Sequence, residues 1–140
     1  MDTRDQVVVG FGELLWDCFP GSRRPGGAPA HVAYHAARLG HHGVVVSRLG
    51  DDADGRALRE HLERNGLGDE HVQTDPEHPT GTVSVDDGDP QDPRYTIHED
   101  GAWDHIALDA DLERLAGRAA ALCFGTLAQR SAPTRDALHR

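Results

Sequence analysis

The chain has 140 residues, enough for one domain with a hydrophobic core, and its 24 acidic against 14 basic residues give a formal net charge of −10. This balance argues against nucleic acid or an anionic membrane surface as a partner, because both bind basic patches. The two cysteines, Cys18 and Cys123, match no metal or redox spacing. The sequence has no apolar run of transmembrane length and no signal-peptide pattern, so we expect a cytoplasmic protein.

The first half of the chain alternates apolar runs with helix-like segments. Residues 7–9 and 44–46 are valine runs typical of buried parallel strands. Helical spacing predicts one helix from about 29 to 39 and another over 56–66, the second capped by the acidic residues that include Asp52. Strand, helix, strand, helix is the pattern of an open α/β sheet.

The second half begins differently. Residues 80–85 and 94–99 alternate small polar and apolar side chains around a turn rich in Gly, Pro and Asp. This pattern predicts a β-hairpin with one wet face, standing off the main sheet as a flap, and Trp103 is interpreted as packing at its hinge. Further on, the pattern predicts a helix over 109–118 and a buried strand over 119–124. A last helix is predicted to begin at 131.

Residues 26–40 hold the most informative stretch, in which two glycines and a proline open a helix-forming run. The residues just before it, with Pro-Gly at 20–21 and 25–26, are predicted as turns. Glycines let a ligand approach the backbone, and a helix N-terminus offers free N–H groups. A Gly-Gly pair by itself is more often a tight loop before a packed helix. Asp17 strengthens the functional interpretation, because a carboxylate and backbone amides together suit a polyol, although a solvated surface Asp is the alternative.

Two stretches resemble metal sites without meeting the requirements of either motif. His31 and His35 are four residues apart on the predicted helix, but Val32 stands where the metalloprotease motif has Glu, and a third ligand is not evident. The acidic run 51–54 fails as a calcium loop, because His61 stands where the bidentate Glu belongs. We therefore expect no bound metal from these residues.

Six segments, in this order, resemble the ribokinase-like (PfkB) carbohydrate kinases, especially their fructokinase branch: GFGELLWD, GGAPAHVAYHAARLG, VSRLGDDADG, PTGTVSV, AWD and CFGTLAQRS. The resemblance covers essentially the whole chain. It implies an α/β fold, a partial ribokinase-like Rossmann-type three-layer sandwich with an inserted β-lid. Residues 1–140 would be the N-terminal portion of a single kinase domain, with lid strands within about 13–27 and 80–99.

The resemblance also implies a substrate site. Asp17 and the backbone of Gly26 and Gly27 would hold sugar hydroxyls, and Arg130 would be a further substrate-side residue. His31 stands where the family has Asn, and the donor and acceptor of a neutral imidazole differ in geometry from those of an amide, which bears on sugar affinity and identity.

The activity implied by the resemblance is transfer of the γ-phosphoryl group of ATP, with Mg²⁺, to a hydroxyl of a fructose-like sugar. The family's catalytic Asp base, its glycine-rich anion hole and most of its ATP pocket belong to a C-terminal half outside these 140 residues. We therefore expect the sugar-binding half of a kinase, inactive alone, with no catalytic residue and no bound ATP or Mg²⁺. The alternatives are a non-catalytic sugar-binding or interaction module and a truncated pseudogene product. A homodimer through the lid is a further expectation.

Overall fold

Eight strands and four helices form residues 5–140, the part of the chain that the computed structural model describes. The strands are β1 (Val7–Phe11), β2 (Leu15–Phe19), β3 (Ser22–Gly26), β4 (His42–Gly50), β5 (Val72–Asp75), β6 (Gly81–Asp86), β7 (Arg94–Ile97) and β8 (Ala119–Phe124). The helices are α1 (Ala28–Arg38), α2 (Ala53–Arg64), α3 (Ala110–Arg118) and α4 (Ala132–His139), with short 3-10 turns at Ala102–His105 and Leu127–Gln129. None of the described helices has the length and apolar character needed to cross a bilayer.

The main sheet has the strand order β5-β4-β1-β8, and all of its neighbouring strands run parallel. Successive valines of β4 point to opposite faces of this sheet. Val45 packs in the cluster that holds residues of α1 and α2, whereas Val44 and Val46 pack in the cluster that holds residues of α3. Helices therefore cover both faces, which is the three-layer α/β arrangement expected from the sequence.

The lid sheet has the order β3-β2-β6-β7. The expected flap hairpin is present, because β6 and β7 pair antiparallel with Val83 opposite Ile97. Along β6 the valines are buried and the residues between them are exposed or half-buried, as the alternating pattern predicts. Trp103 is completely buried against the inner face of the lid, where it packs with Leu15, so its predicted place at the hinge is confirmed.

Helix ends follow local sequence signals closely. Helix α1 occupies Ala28–Arg38, within one residue of the predicted bounds. The side chain of Asp52 accepts a hydrogen bond from the Gly55 N–H at 2.7 Å and so caps α2 as expected. Asp109 caps α3 in the same way, through the Leu112 N–H at 2.9 Å.

Three strands differ from the predictions. The predicted turn at 20–21 is present, but Pro25-Gly26 belongs to β3, a lid strand within 13–27, because β2 supplies an antiparallel partner along the whole of 22–26. Strand β5 was not predicted, and it pairs with only the last four residues of β4. Strand β8 is where it was predicted but is not buried: Leu122 is 48% and Phe124 47% exposed, because β8 lies at the edge of the main sheet and pairs with β1 alone.

Candidate functional site

The candidate site lies where the β2–β3 pair of the lid meets the start of α1. Gly26 ends β3, and a Cβ added there would lie 2.9 Å from Cγ of Asp17, in collision with the carboxylate. Gly27 is the N-cap of α1 with φ of 124°, and a Cβ there would collide with the carbonyl oxygen of Glu13. Gly27 therefore requires glycine, because it combines a positive φ with a backbone collision, whereas the missing side chain of Gly26 leaves the space in which the Asp17 carboxylate lies against the backbone.

Asp17 and His31 are electrostatic neighbours across this junction. Asp17 lies on β2 and is half-buried, and its pKa is raised by burial, whereas the charge of His31 acts to lower it. The structure thus brings together four of the residues that the resemblance implied: Asp17, Gly26, Gly27 and His31.

His31 also faces a second space. It is exposed on the first turn of α1 and lines a cleft of about 230 Å³ between α1, α2 and β3. Other polar residues of this cleft include His61 and Asn65. Burial lowers the pKa of His61, and the charges of Arg64 and His31 lower it further. Asp17 does not line this cleft, so His31 lies between the cleft and the Asp17 carboxylate.

Glu13 is a site residue that sequence reasoning missed. It lies between β1 and β2, is only 6% exposed, and its Oε2 has no hydrogen-bond partner within residues 5–140. Burial raises its pKa, against the opposing effects of the Ala28 N–H at the start of α1 and the charge of Arg130. The signal in the sequence was an acidic residue directly after Gly12 in an otherwise apolar stretch, GFGELLW.

Arg130 lies at the lid hinge. Its Nε and Nη2 donate to the two carboxylate oxygens of Asp104 at 2.9 and 2.7 Å, and Nη2 also donates to the His98 carbonyl at 2.8 Å. The guanidinium lies 4.3 Å from the centre of the Trp103 ring. The Asp104 carboxylate raises the pKa of Arg130. Its link to the candidate site is electrostatic, through Glu13.

This arrangement suits a neutral polyol better than an anion. Two acidic side chains, Glu13 and Asp17, flank the start of α1, where the Ala28 N–H acts to lower the pKa of Glu13. Carboxylates accept hydrogen bonds from hydroxyl groups, whereas a phosphate at the same place would meet like charge. The site therefore favours a hydroxyl-rich, uncharged ligand.

Comparison with known proteins agrees with this chemistry. Residues 2–137 match the profile described as pfkB family carbohydrate kinase. The chain belongs to this family. Fructokinase-1 of Oryza sativa subsp. japonica, a PfkB relative of this chain, is 33% identical to it over 150 aligned residues, which cover 98% of this chain and 46% of the relative. The chain thus spans about half the length of the curated relatives it matches.

Solved structures support the PfkB-family fold. A sugar kinase from Pyrococcus horikoshii superposes with a TM-score of 0.87 at 26% identity, over 95% of this chain and 47% of the other. A fructokinase from Vibrio cholerae O395, solved with fructose, ADP and a calcium ion bound, superposes with a TM-score of 0.73 at 25% identity, over 99% of this chain and 46% of the other. The ribokinase-like fold with its lid is therefore confirmed.

Proposed function

We propose that this PfkB-family chain is the sugar-binding half of an ATP-dependent kinase whose acceptor is a fructose-like sugar. Its fructokinase relatives and the fructose bound to the Vibrio cholerae protein support this acceptor class. The single observation that carries the proposal is the Asp17 carboxylate held against Gly26 at the start of α1. A carboxylate beside backbone N–H groups can both accept from and donate to sugar hydroxyls.

Each site residue has a role in this proposal. Asp17 accepts hydrogen bonds from two neighbouring hydroxyls, and the backbone of Gly26 and Gly27 donates to the sugar. His31 offers a ring nitrogen at the rim. Glu13 is a buried acidic group beside the start of α1 and makes no contact with the sugar, since its Oε2 is closed to solvent. Arg130, fixed by Asp104, supplies positive charge behind Glu13.

ATP and Mg²⁺ are the cofactors that the family implies, and this site does not fit the nucleotide, because the carboxylates of Glu13 and Asp17 repel a triphosphate. We therefore assign no nucleotide step to these residues. We infer that the 140-residue chain alone does not phosphorylate sugar, because the sequence contains no Gly-Ala-Gly-Asp anion-hole motif and covers 46% of its fructokinase relative.

Isothermal calorimetry with fructose tests the sugar site. We expect saturable binding by the unchanged chain, weakened about tenfold or more by Asp17→Asn, since a hydrogen bond to a charged group contributes about 1.5–3 kcal/mol. Asp87→Asn is the matched control, because it removes the same charge from an exposed position of the same lid. Equal affinity in the unchanged chain and Asp17→Asn would overturn the assignment of this site.

A coupled assay tests the inactivity of the chain alone. Incubated with ATP, Mg²⁺ and fructose, the chain should release ADP at the rate of a fructose-free control. Fructose-dependent release above that rate would contradict the inference.

We also propose that two copies pair through the lid. Strand β7 is an edge strand of the lid sheet, and Tyr95 on it is 62% exposed. Sedimentation should give a dimer for the unchanged chain and for Leu39→Glu, whose side chain lies away from the lid on the end of α1. Tyr95→Glu should give a monomer, and a dimer in that variant would contradict the proposal.

A further inference from the structure

Three side chains with metal-ligating atoms converge where the lid joins the main sheet. His78 lies in the connection from β5 to β6, and Asp100 and His105 follow β7. One ligand atom from each lies within 4.8 Å of the other two. The two segments enter and leave the lid, so the cluster, called here the hinge cluster, spans its neck.

The hinge cluster has distances close to those of a metal site. Oδ1 of Asp100 is 2.7 Å from Nε2 of His105 and 3.7 Å from Nε2 of His78. These distances bracket the about 3.3 Å that separates two ligands of a tetrahedral zinc ion. The imidazole rings stack 3.5 Å apart at 15°, so their Nε2 atoms face the same carboxylate side by side.

A second carboxylate orients His78 from behind. Nδ1 of His78 lies 3.0 Å from Oδ2 of Asp75, which is 2% exposed. Asp75 is itself fixed, because it accepts hydrogen bonds from Nε of Arg48 at 2.8 Å and from the N–H groups of Glu77 and His78 at 2.8 and 2.9 Å. It therefore holds the His78 ring by Nδ1 and leaves Nε2 on the side of Asp100.

Nε2 of His78 is the ring nitrogen left for a metal ion beside Oδ1 of Asp100. A carboxylate behind a ligating histidine is also the usual outer partner in metal sites, where it fixes the ring and raises its basicity. The chemistry of the donor set, two imidazoles and one carboxylate, is that of zinc and related transition metals rather than of Mg²⁺, which prefers oxygen ligands.

The backbone also presents Asp100 towards the two rings. Asp100 has φ of 60°, the only positive φ outside glycine among residues 5–140. The side chains of His78 and His105 are each 25% exposed, so an ion can reach them from solvent. We propose that His78, Asp100 and His105 bind a divalent transition-metal ion of the zinc class, with water completing its coordination, and that this ion ties together the two strands of the lid neck.

Cobalt titration of the untagged 140-residue chain tests the proposal, because tetrahedral Co²⁺ absorbs strongly in the visible range and a histidine tag would bind it too. We expect one Co²⁺ per chain, displaced by Zn²⁺. Asp100→Asn should weaken binding at least about tenfold, since loss of even an outer partner commonly costs that much. Asn adopts positive φ as readily as Asp, so this variant keeps the loop.

Asp111→Asn is the matched control. Asp111 pairs with His71 at 2.6 Å and with Arg114 at 3.6 Å and is not part of the hinge cluster, so the same change there should leave Co²⁺ affinity unaltered. Zn²⁺ should also slow amide hydrogen exchange in 76–80 and 98–105 of the unchanged chain but not of Asp100→Asn. Absence of saturable Co²⁺ binding, or equal affinity in the unchanged chain and Asp100→Asn, would overturn the proposal and leave a hydrogen-bonded His–Asp–His cluster.

Discussion

The Asp17 carboxylate lies against Gly26 across the β2–β3 pair, so closely that a Cβ at position 26 would have to displace it. The acidic group of the lid and the glycine before α1 are therefore one packed unit. A displacement of the Asp17 side chain or of Gly26 should therefore affect both groups, and the sugar-binding proposal depends on their contact.

Replacement of Gly26 by alanine tests this contact. The new Cβ would lie 2.9 Å from Cγ of Asp17 and 3.1 Å from Cδ1 of Leu15, so we expect a loss of about 1–3 kcal/mol in the free energy of unfolding and weaker fructose binding. Urea denaturation measures the first effect and calorimetry the second. Gly117→Ala is the control: a Cβ there meets nothing within 4 Å and lies in α3, so it should stabilise by about 0.5–1 kcal/mol. Unchanged stability in Gly26→Ala would contradict the close contact.

The burial of Glu13 predicts a pH dependence of stability. Because its pKa is raised above the ordinary value of 4.5, the native state binds this proton more tightly than the unfolded chain does. Its contribution to stability is thus present below about pH 4.5 and is lost as the pH rises through the folded pKa. Glu13→Gln removes this loss, so the free energy of unfolding of the variant should rise relative to the unchanged chain as the pH increases above about 4.5.

Urea unfolding at several pH values measures the difference. Glu63→Gln, on the exposed face of α2, should follow the unchanged chain at every pH. A Glu13→Gln difference that stays constant with pH would show that Glu13 keeps an ordinary pKa in the folded protein.

The Arg130–Asp104 pair should contribute substantially to stability. Asp104 is 5% exposed in its side chain, so Arg130→Ala leaves a buried carboxylate without its bidentate partner. We expect the free energy of unfolding to fall by about 2–3 kcal/mol. This is less than the about 3–5 kcal/mol lost when a fully buried pair is broken, because the Arg130 side chain is 26% exposed. Arg64→Ala removes an arginine from an exposed pair with Glu60 and should cost less than about 0.5 kcal/mol. Equal losses in the two variants, measured by urea denaturation, would refute a structural role for Arg130 at the hinge.

The exposed apolar side chains of β8 should make the chain prone to aggregation. Leu122 is 48% exposed on a parallel strand that pairs on one side only. Leu122→Glu should raise the temperature at which light scattering begins. Leu39→Glu replaces a 76% exposed leucine at the end of α1 and should leave that temperature unchanged. If both substitutions raise the onset temperature of light scattering equally, β8 is not the surface through which the chain aggregates.

Local signals account for what the sequence predicted correctly. The helical spacing of apolar residues and Gly40 after the last of them predict the ends of α1 to within one residue. Alternation and a Gly- and Pro-rich turn give the β6–β7 hairpin, and the position of Trp103 after that hairpin gives the hinge. Each of these features is encoded within a short segment, so a single sequence suffices.

Features that depend on a partner elsewhere in the chain were not predictable. Strand β3 contains Arg23, Arg24 and Pro25, which have little preference for a strand, and it exists because β2 pairs with it. Strand β8 has the composition of a buried strand, and only the order of the sheet leaves it at an edge. The candidate site divides in the same way: the resemblance pointed to Asp17 and Gly26, whereas the burial of Glu13 and the hinge contacts of Arg130 required the three-dimensional structure.

The neck and the tip of the lid differ in a way that matters for protein engineering. At the neck, the Ala102 N–H donates to the Pro79 carbonyl at 2.7 Å, and Gly101 packs against Gly81. At the tip, residues 87–93 are all exposed. A reporter domain inserted at the tip would therefore be carried by the lid without disturbing the contacts of its neck.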